Sequence, residues 1–372
     1  MNRSRWSLRL TVVLSLLATG ILSGCLPEGM PAYVDGGKSV VTTTDGMLWV
    51  YTVASGDVKG YKLPASDMSG KMLGDQIWVH SPEHRARFDW NKKEFVGGPK
   101  ELDGLGVEGD WVAGATEGTW EGKPCVFVLE KRPENPGEQS AYGIYALPEL
   151  KKLKAVDAIP LAAGDLWSVT ETFARDPHAG DKLTSVELFD ASGKSVVKVA
   201  AEELKQFKGE LLHDPNESWR QMQGYVGDYA RLSPDKTVLL LALVSHGDTR
   251  FDVLDVKTGK VLWGTMCPNP IRGHPLVTRD GIWALANGEK GVALLRYRKD
   301  GKGISTKPHA ESSPETILEY PLGGKEFEVS DYNLSPDGKE FVAAINGASP
   351  RLLFVPIKEG VTAKDVQVIE LK

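Results

Sequence analysis

The sequence predicts an all-β chain folded as a ring of small antiparallel sheets, and three observations carry that expectation. Short apolar or alternating runs recur along most of the 372 residues, helical periodicity is nearly absent, and one Asp-containing turn recurs between paired runs. At 41% hydrophobic and 25% charged, the chain can bury a sizeable core and is not a disordered tail. Gly 40 and Pro 22 supply the many turns such a fold needs. Three cysteines exclude a disulfide-dense scaffold and any zinc module with four thiolate ligands. Lys+Arg 44 against Asp+Glu 50 leaves a formal charge of -6, which argues against nucleic acid as a partner, because neutralising phosphates needs a basic surface.

The first segment reads as an address. Arg3, Arg5 and Arg9 form a basic, acid-free start, and Leu10 to Ile21 then run almost wholly apolar. That is the pattern of an exported precursor, and the run is short for a membrane span. It ends in Leu22-Ser23-Gly24-Cys25, which resembles the cleavage box of bacterial lipoproteins. The resemblance implies cleavage between Gly24 and Cys25 and lipidation of the Cys25 thiol. Several acyl chains on one residue anchor stably where one chain is marginal. Removal of the three arginines takes the formal charge from -6 to -9. Leu26-Pro27-Glu28-Gly29-Met30-Pro31 reads as a short stiffened spacer, and Leu26 in place of Asp leans towards the outer membrane. The expected division is 1–24 signal peptide, 25–37 lipidated N-terminus and spacer, and 38–372 a single repeat domain.

Within that domain the turn recurs at Asp45, Asp75, Asp110, Asp165, Asp235, Asp280 and Asp337, each between two apolar runs. Asp45 and Asp337 lie 292 residues apart, about 49 per step, which matches the roughly 40 to 50 residues of a four-stranded propeller blade. The prediction is therefore a β-propeller of seven blades, within a range of six to eight. The steps are uneven, so the shortest mark three-stranded or misassigned blades. The longest contains the polar stretch 200–223, where Leu204, Phe207 and Leu211 at helical spacing predict a short helical insertion. Trp49, Trp78, Trp111, Trp167 and Trp283 follow their turns on the expected second strand, where large rings fill the wedge between sheets. Radial stacking places about 340 residues around one channel, where sandwiches would need two or three domains. The last run, Val366 to Leu371, is expected to pair near Ser39 to Thr44 and close the ring.

Two motifs sharpen this reading. Leu232-Ser233-Pro234-Asp235 and Leu334-Ser335-Pro336-Asp337-Gly338-Lys339 resemble the SPDGK turns of WD-like and periplasmic propellers, with Pro, Asp and Gly each suited to its corner. The segment from Val253 to Trp263, with Asp255, Thr258, Gly259 and Lys260, resembles a pyrroloquinoline-quinone-type repeat, which builds the outer part of a blade. Asp190 to Lys194 is a weaker echo. In size, anchor and repeat flavour the chain resembles the propeller lipoprotein of the outer-membrane barrel-assembly machinery, which implies a scaffolding role.

No catalytic constellation stands out. H-E-x-x-H, a P-loop, a G-x-S-x-G elbow and a vicinal cysteine pair are all missing, so no catalytic residue, cofactor or metal is assigned. His80 and His84 are separated by Ser81-Pro82, which interrupts any helix, so a solvated loop is favoured over a metal pair. Asp235, Asp280 and Asp337 either bind a cation at one end of the ring or, the favoured reading, hydrogen-bond their own turns. Glu202-Glu203 and the 311–319 region read as polar loops. Cys125 and Cys267 either bridge in an oxidising compartment or stay a buried thiol and a loop thiol. A partner is expected at the loops 200–223 and 299–314, with Trp219, Arg220 and Gln223 as its anchor, unless Trp219 merely caps the core. The functional expectation is a lipid-anchored, non-enzymatic binding or scaffolding module of the bacterial envelope, attached to membrane and holding an envelope protein partner. The alternative is an enzyme or small-ligand binder with its site in the central channel.

Overall fold

The structure is a computed structural model that describes residues 29–81, 83–98, 100–106, 109–112, 115–121, 123–131, 141–156, 159–162, 168–176, 180–190, 194–200, 231–245, 248–268, 273–299, 314–323, 328–346 and 349–372. Among them the chain forms seven four-stranded antiparallel sheets, each built from four consecutive strands paired in chain order. The first contains β1 (Gly29–Val34), β2 (Ser39–Thr44), β3 (Met47–Thr52) and β4 (Val58–Lys62), and the second β5 (Ser69–Leu73), β6 (Gln76–His80), β7 (Arg85–Asp89) and β8 (Glu94–Gly97). The third contains β9 (Thr116–Trp120), β10 (Lys123–Lys131), β11 (Ala141–Ala146) and β12 (Lys151–Val156), and the fourth β13 (Ile159–Ala162), β14 (Ser168–Asp176), β15 (Gly180–Phe189) and β16 (Ser195–Ala200). Then follow β17 (Arg231–Leu232), β18 (Val238–Ser245), β19 (Asp248–Asp255) and β20 (Val261–Pro268), and β21 (Leu276–Val277), β22 (Gly281–Asn287), β23 (Gly291–Arg298) and β24 (Glu315–Pro321). β25 (Glu328–Leu334), β26 (Glu340–Asn346), β27 (Arg351–Pro356) and β28 (Gln367–Glu370) complete the set. Neighbouring first strands touch, β1 with both β5 and β25, so the sheets are propeller blades with their first strands innermost.

Burial on both faces explains the near-continuous apolar runs. In β26, Phe341, Ala343 and Ile345 enter the core shared with the sixth blade, while Val342 enters the core shared with the first. In β27, Leu353 and Val355 face the sixth blade, and Leu352 and Phe354 the first. In these strands alternation with period two thus serves two cores at once, and neither needs a polar face. The ring closes between the first and seventh blades through Val40, Tyr51, Val342, Leu352, Phe354 and Leu371.

Several expectations are corrected. The C-terminal strand does not pair with the first blade. β28 pairs with β27, and closure across the seam is by side-chain packing, with Tyr33 Oη donating to Glu340 Oε1 at 3.0 Å. Asp45 lies between the second and third strands of its blade, and Asp110 precedes β9. The equivalents of Asp75, Asp235, Asp280 and Asp337 are Asp35 in the first blade and Glu121 in the third, which makes the first step 40 residues and the second 46. The shortest steps were thus misassigned turns and not three-stranded blades. β1 brings Gly29–Val34, placed in the spacer by sequence, into the first sheet. Asp165, Trp167 and, apart from Ala200, the insertion 200–223 lie outside the described residues. Trp49 sits on a third strand, Trp78 and Trp283 on second strands, and Trp111 in the connection before β9, its ring edge-on to that of Trp78 with centroids 4.9 Å apart. Glu315 and Glu319 belong to β24 rather than to a polar loop.

Candidate interaction surfaces and buried polar clusters

Gly24 and Cys25, and Trp219, Arg220 and Gln223, lie outside the described residues, as do 300–313. The site must be sought on the two ends and the rim of the ring. Turns between first and second strands share one end with turns between third and fourth strands. Backbone bonds between them show this: Val53 N donates to Lys38 O, Val256 N to Thr237 O, and Ile357 N to Lys339 O.

On that end the two SPD turns have the same construction. Ser335 Oγ donates to Asp337 Oδ1 at 2.8 Å and accepts from the backbone of Lys339 and Glu340, both at 3.1 Å. Ser233 Oγ donates to Asp235 Oδ1 at 2.5 Å and accepts from the backbone of Thr237 and Val238. These serine hydroxyls hold both carboxyls below the ordinary Asp range, and turn N–H groups act in the same direction. Asp235 and Asp337 therefore bind their own turns, as favoured. At the third turn Thr278 Oγ1 takes the corresponding role, accepting from Gly281 N at 3.1 Å. The segment from Val253 to Trp263 forms the third and fourth strands of its blade. There Asp255 Oδ1 accepts from both N and Oγ1 of Thr258 at 2.9 Å, and Arg279 donates to Asp255 Oδ2 at 2.5 Å.

At the other end, His80 is not a loop histidine. It ends β6 with Nδ1 2.7 Å from Asp110 Oδ2, while Asp110 Oδ1 accepts from Val112 N at 3.1 Å. Arg85 donates to Gly109 O at 2.8 Å and approaches Asp103. Together they clamp the connection between the second and third blades onto the hairpin of β6 and β7. His84 is exposed at the far side of that hairpin, where Ser81 N donates to His84 O. Sequence spacing could not show this clasp, because its two halves lie 30 residues apart on different elements. Among the described residues no group of three His, Cys, Asp or Glu side chains is placed to hold a metal.

A second cluster joins β17, β25 and the segment just before β21, from three blades. Gly273 bridges to Tyr332 in parallel, His274 N donates to Tyr332 O at 3.1 Å, and His274 Nδ1 lies 2.8 Å from Asn333 Oδ1. Leu334 N also donates to Asn333 Oδ1, at 2.8 Å, which marks that oxygen as an acceptor and assigns the imidazole proton to Nδ1. Burial, and then the positive charge of Arg231 on β17, hold the His274 pKa well below its ordinary value, so the ring is neutral. Between the sixth and seventh blades a cleft of about 200 Å³ is lined by Tyr320, Pro321, Leu322, Ile345, Leu353 and Val368, with Arg351 and Glu370 at its polar side.

The chain matches no family model, and no curated protein matches it. Solved structures do. One chain of a crystal structure of the mitotic checkpoint complex is 11% identical with a TM-score of 0.50, over 90% of this chain and 91% of that one. Kluyveromyces lactis Hsv2 is 12% identical with a TM-score of 0.44, over 92% and 97%. A complex of KlAtg21 with the coiled coil of AgAtg16 gives 9% and 0.49, over 91% and 97%. At such identities the likeness of the first shows the fold alone, a β-propeller.

Proposed function

We propose that the protein is a lipid-anchored β-propeller of the bacterial envelope, held at Cys25, in the outer membrane, and acting as a binding or scaffolding module for another envelope protein. The observation that carries this reading is the combination of Leu22-Ser23-Gly24-Cys25 with a rigid seven-bladed platform. A propeller presents loops from every blade on a scaffold that does not move, which suits recognition. Its buried polar groups in the His80 and Asp235 clusters support the fold itself. The partner is a protein, as in the assembly named for the first of the similar structures.

Growth with a labelled fatty acid tests the anchor. Label is expected on the wild-type chain and absent from Cys25→Ser, which leaves the membrane fraction; an unlabelled wild-type chain overturns the anchor. Gentle cross-linking in intact cells tests the scaffold, and a chain recovered without any protein adduct overturns that half. The second reading, a small-ligand site in the channel, draws on Arg231 of β17, His274 just before β21 and Asn333 of β25 gathering from three blades.

A further inference from the structure

Four fourth strands share a bulge. Ile144 and Tyr145 of β11 pair with Lys154 and Lys152, so Leu153 is the extra residue of β12. The same two-against-one register makes Val196 the extra residue of β16, Leu262 that of β20 and Ile317 that of β24. Each bulge thus re-aims one aliphatic side chain at the rim of the ring. The destinations differ. Leu262 and Ile317 pack against the large core of the fifth to seventh blades. Leu153 and Val196 stand out in solvent, 43% and 36% exposed, on two adjacent blades.

Charge distinguishes those two strands as well. β12 and β16 contain Lys151, Lys152, Lys154 and Lys198 and no acid, on a chain whose formal charge is -6. Lys152 is braced by Glu130 at 2.6 Å, Lys198 approaches Glu187 at 3.7 Å, and Lys154 Nζ sits 4.9 Å over the Trp120 ring. These contacts hold the stems against the sheet while the ammonium groups remain largely exposed. By contrast β24, whose bulge residue is packed away, contains two glutamates.

Resting on the scaffold reading above, we infer that the rim of the third and fourth blades is the docking surface, and that its occupant is an acidic, aliphatic-bearing segment of the envelope partner. The segment's aliphatic side chains cover Leu153 and Val196, and its carboxylates face the four lysines. Charge complementarity selects the acidic segment, and the two aliphatics supply the desolvated centre that charge alone lacks. The bulges and the lysines blunt the strand edges, so contact is through side chains and not by addition of a fifth strand.

The test uses the full chain and three probes: a short synthetic peptide with Leu and Val among glutamates, the same peptide with Ser in place of Leu and Val, and phosphatidylglycerol vesicles. The first peptide is expected to bind, more weakly as salt rises, and at least about tenfold more weakly to L153S/V196S and to K151E/K154E. Both variants change exposed positions and should melt with the wild type. Equal binding of the Ser peptide, wild-type affinity in either variant, or vesicle binding without peptide binding overturns the proposal. In cells, a photo-crosslinker at position 153 or 196 should trap an acidic segment, and one at the equally exposed Val53 should not. Protein adducts elsewhere on the ring with none at 153 or 196 would refute this surface and leave the scaffold reading standing.

Discussion

Cys125 is buried because its strand has no solvent face. It lies on β10 with Phe127, against Ile144 of β11, fully enclosed, and it is a free thiol rather than half of a bridge. Burial, and next the charge of Glu117, push its pKa up to about 12. Since the thiolate is the reactive form, iodoacetamide at neutral pH should leave Cys125 untouched in the folded chain and alkylate it in urea. Site-resolved mass spectrometry checks this, and rapid native labelling at Cys125 would contradict the burial. The apolar run from Val126 to Leu129 already pointed to a buried thiol, since a strand flanked by such a run offers its neighbours little water. His80 was opaque for the opposite reason: it sits beside Ser81, Glu83 and His84 in sequence, and only Asp110, folded back from the next connection, removes it from solvent.

At the level of elements, one turn joins third and fourth strands in four blades. In each, the N–H of the fifth residue donates to the C=O of the first: Gly56 to Thr52, Lys93 to Asp89, Leu150 to Ala146 and Gly259 to Asp255. All four donors have positive φ, from 56° to 75°. The sequence betrays this turn at Gly259, where glycine fits the left-handed position. Lys93 and Leu150 adopt the same backbone at a cost of about 1–2 kcal/mol each and so leave no compositional trace. Two alanine substitutions separate backbone from packing. Gly56→Ala places its methyl in open space and should cost about 1–2 kcal/mol from φ alone. Gly259→Ala places it 2.4 Å from Val197 Cγ2 of the neighbouring blade, so crowding of about 1–3 kcal/mol is added. Urea denaturation of the two variants measures the difference, and equal losses would mean that the fourth and fifth blades are not pressed together there.

For the whole molecule the decisive contact is the seam between the first and seventh blades. Because each blade is a continuous segment, the ring is shut by side chains, and Glu340 lies there half-buried beside Tyr33. Burial, with Asp337 adding to it, raises the Glu340 pKa above its ordinary 4.5, while the Tyr33 hydroxyl pulls the other way. An acid whose folded pKa is raised binds its proton more tightly in the folded chain, so its charge weighs against folding once the pH exceeds that range. Glu340→Gln keeps an acceptor for Tyr33 without the charge. It should melt higher than wild type at pH 7, with the advantage fading as the pH falls to 4.5 and below. A thermal melt series across that range checks the sign, and a lower melting temperature at pH 7 would show that the ionised pair stabilises the seam.

By itself the amino-acid sequence determined the all-β class, the approximate repeat length and a count of six to eight blades, because alternation and turn chemistry are local and each blade is local too. It also named Asp235, Asp337 and Asp255 as turn residues, since a carboxylate bonding its own backbone needs nothing from elsewhere. Only the tertiary structure decided which end of the ring each turn occupies: Asp45-Gly46 and Asp35-Gly36 are equally good hairpin chemistry, and stacking alone tells them apart. It likewise decided how the ring closes, what His80 touches, and which bulged aliphatics stay in water, for these depend on neighbours tens of residues away that no local pattern encodes.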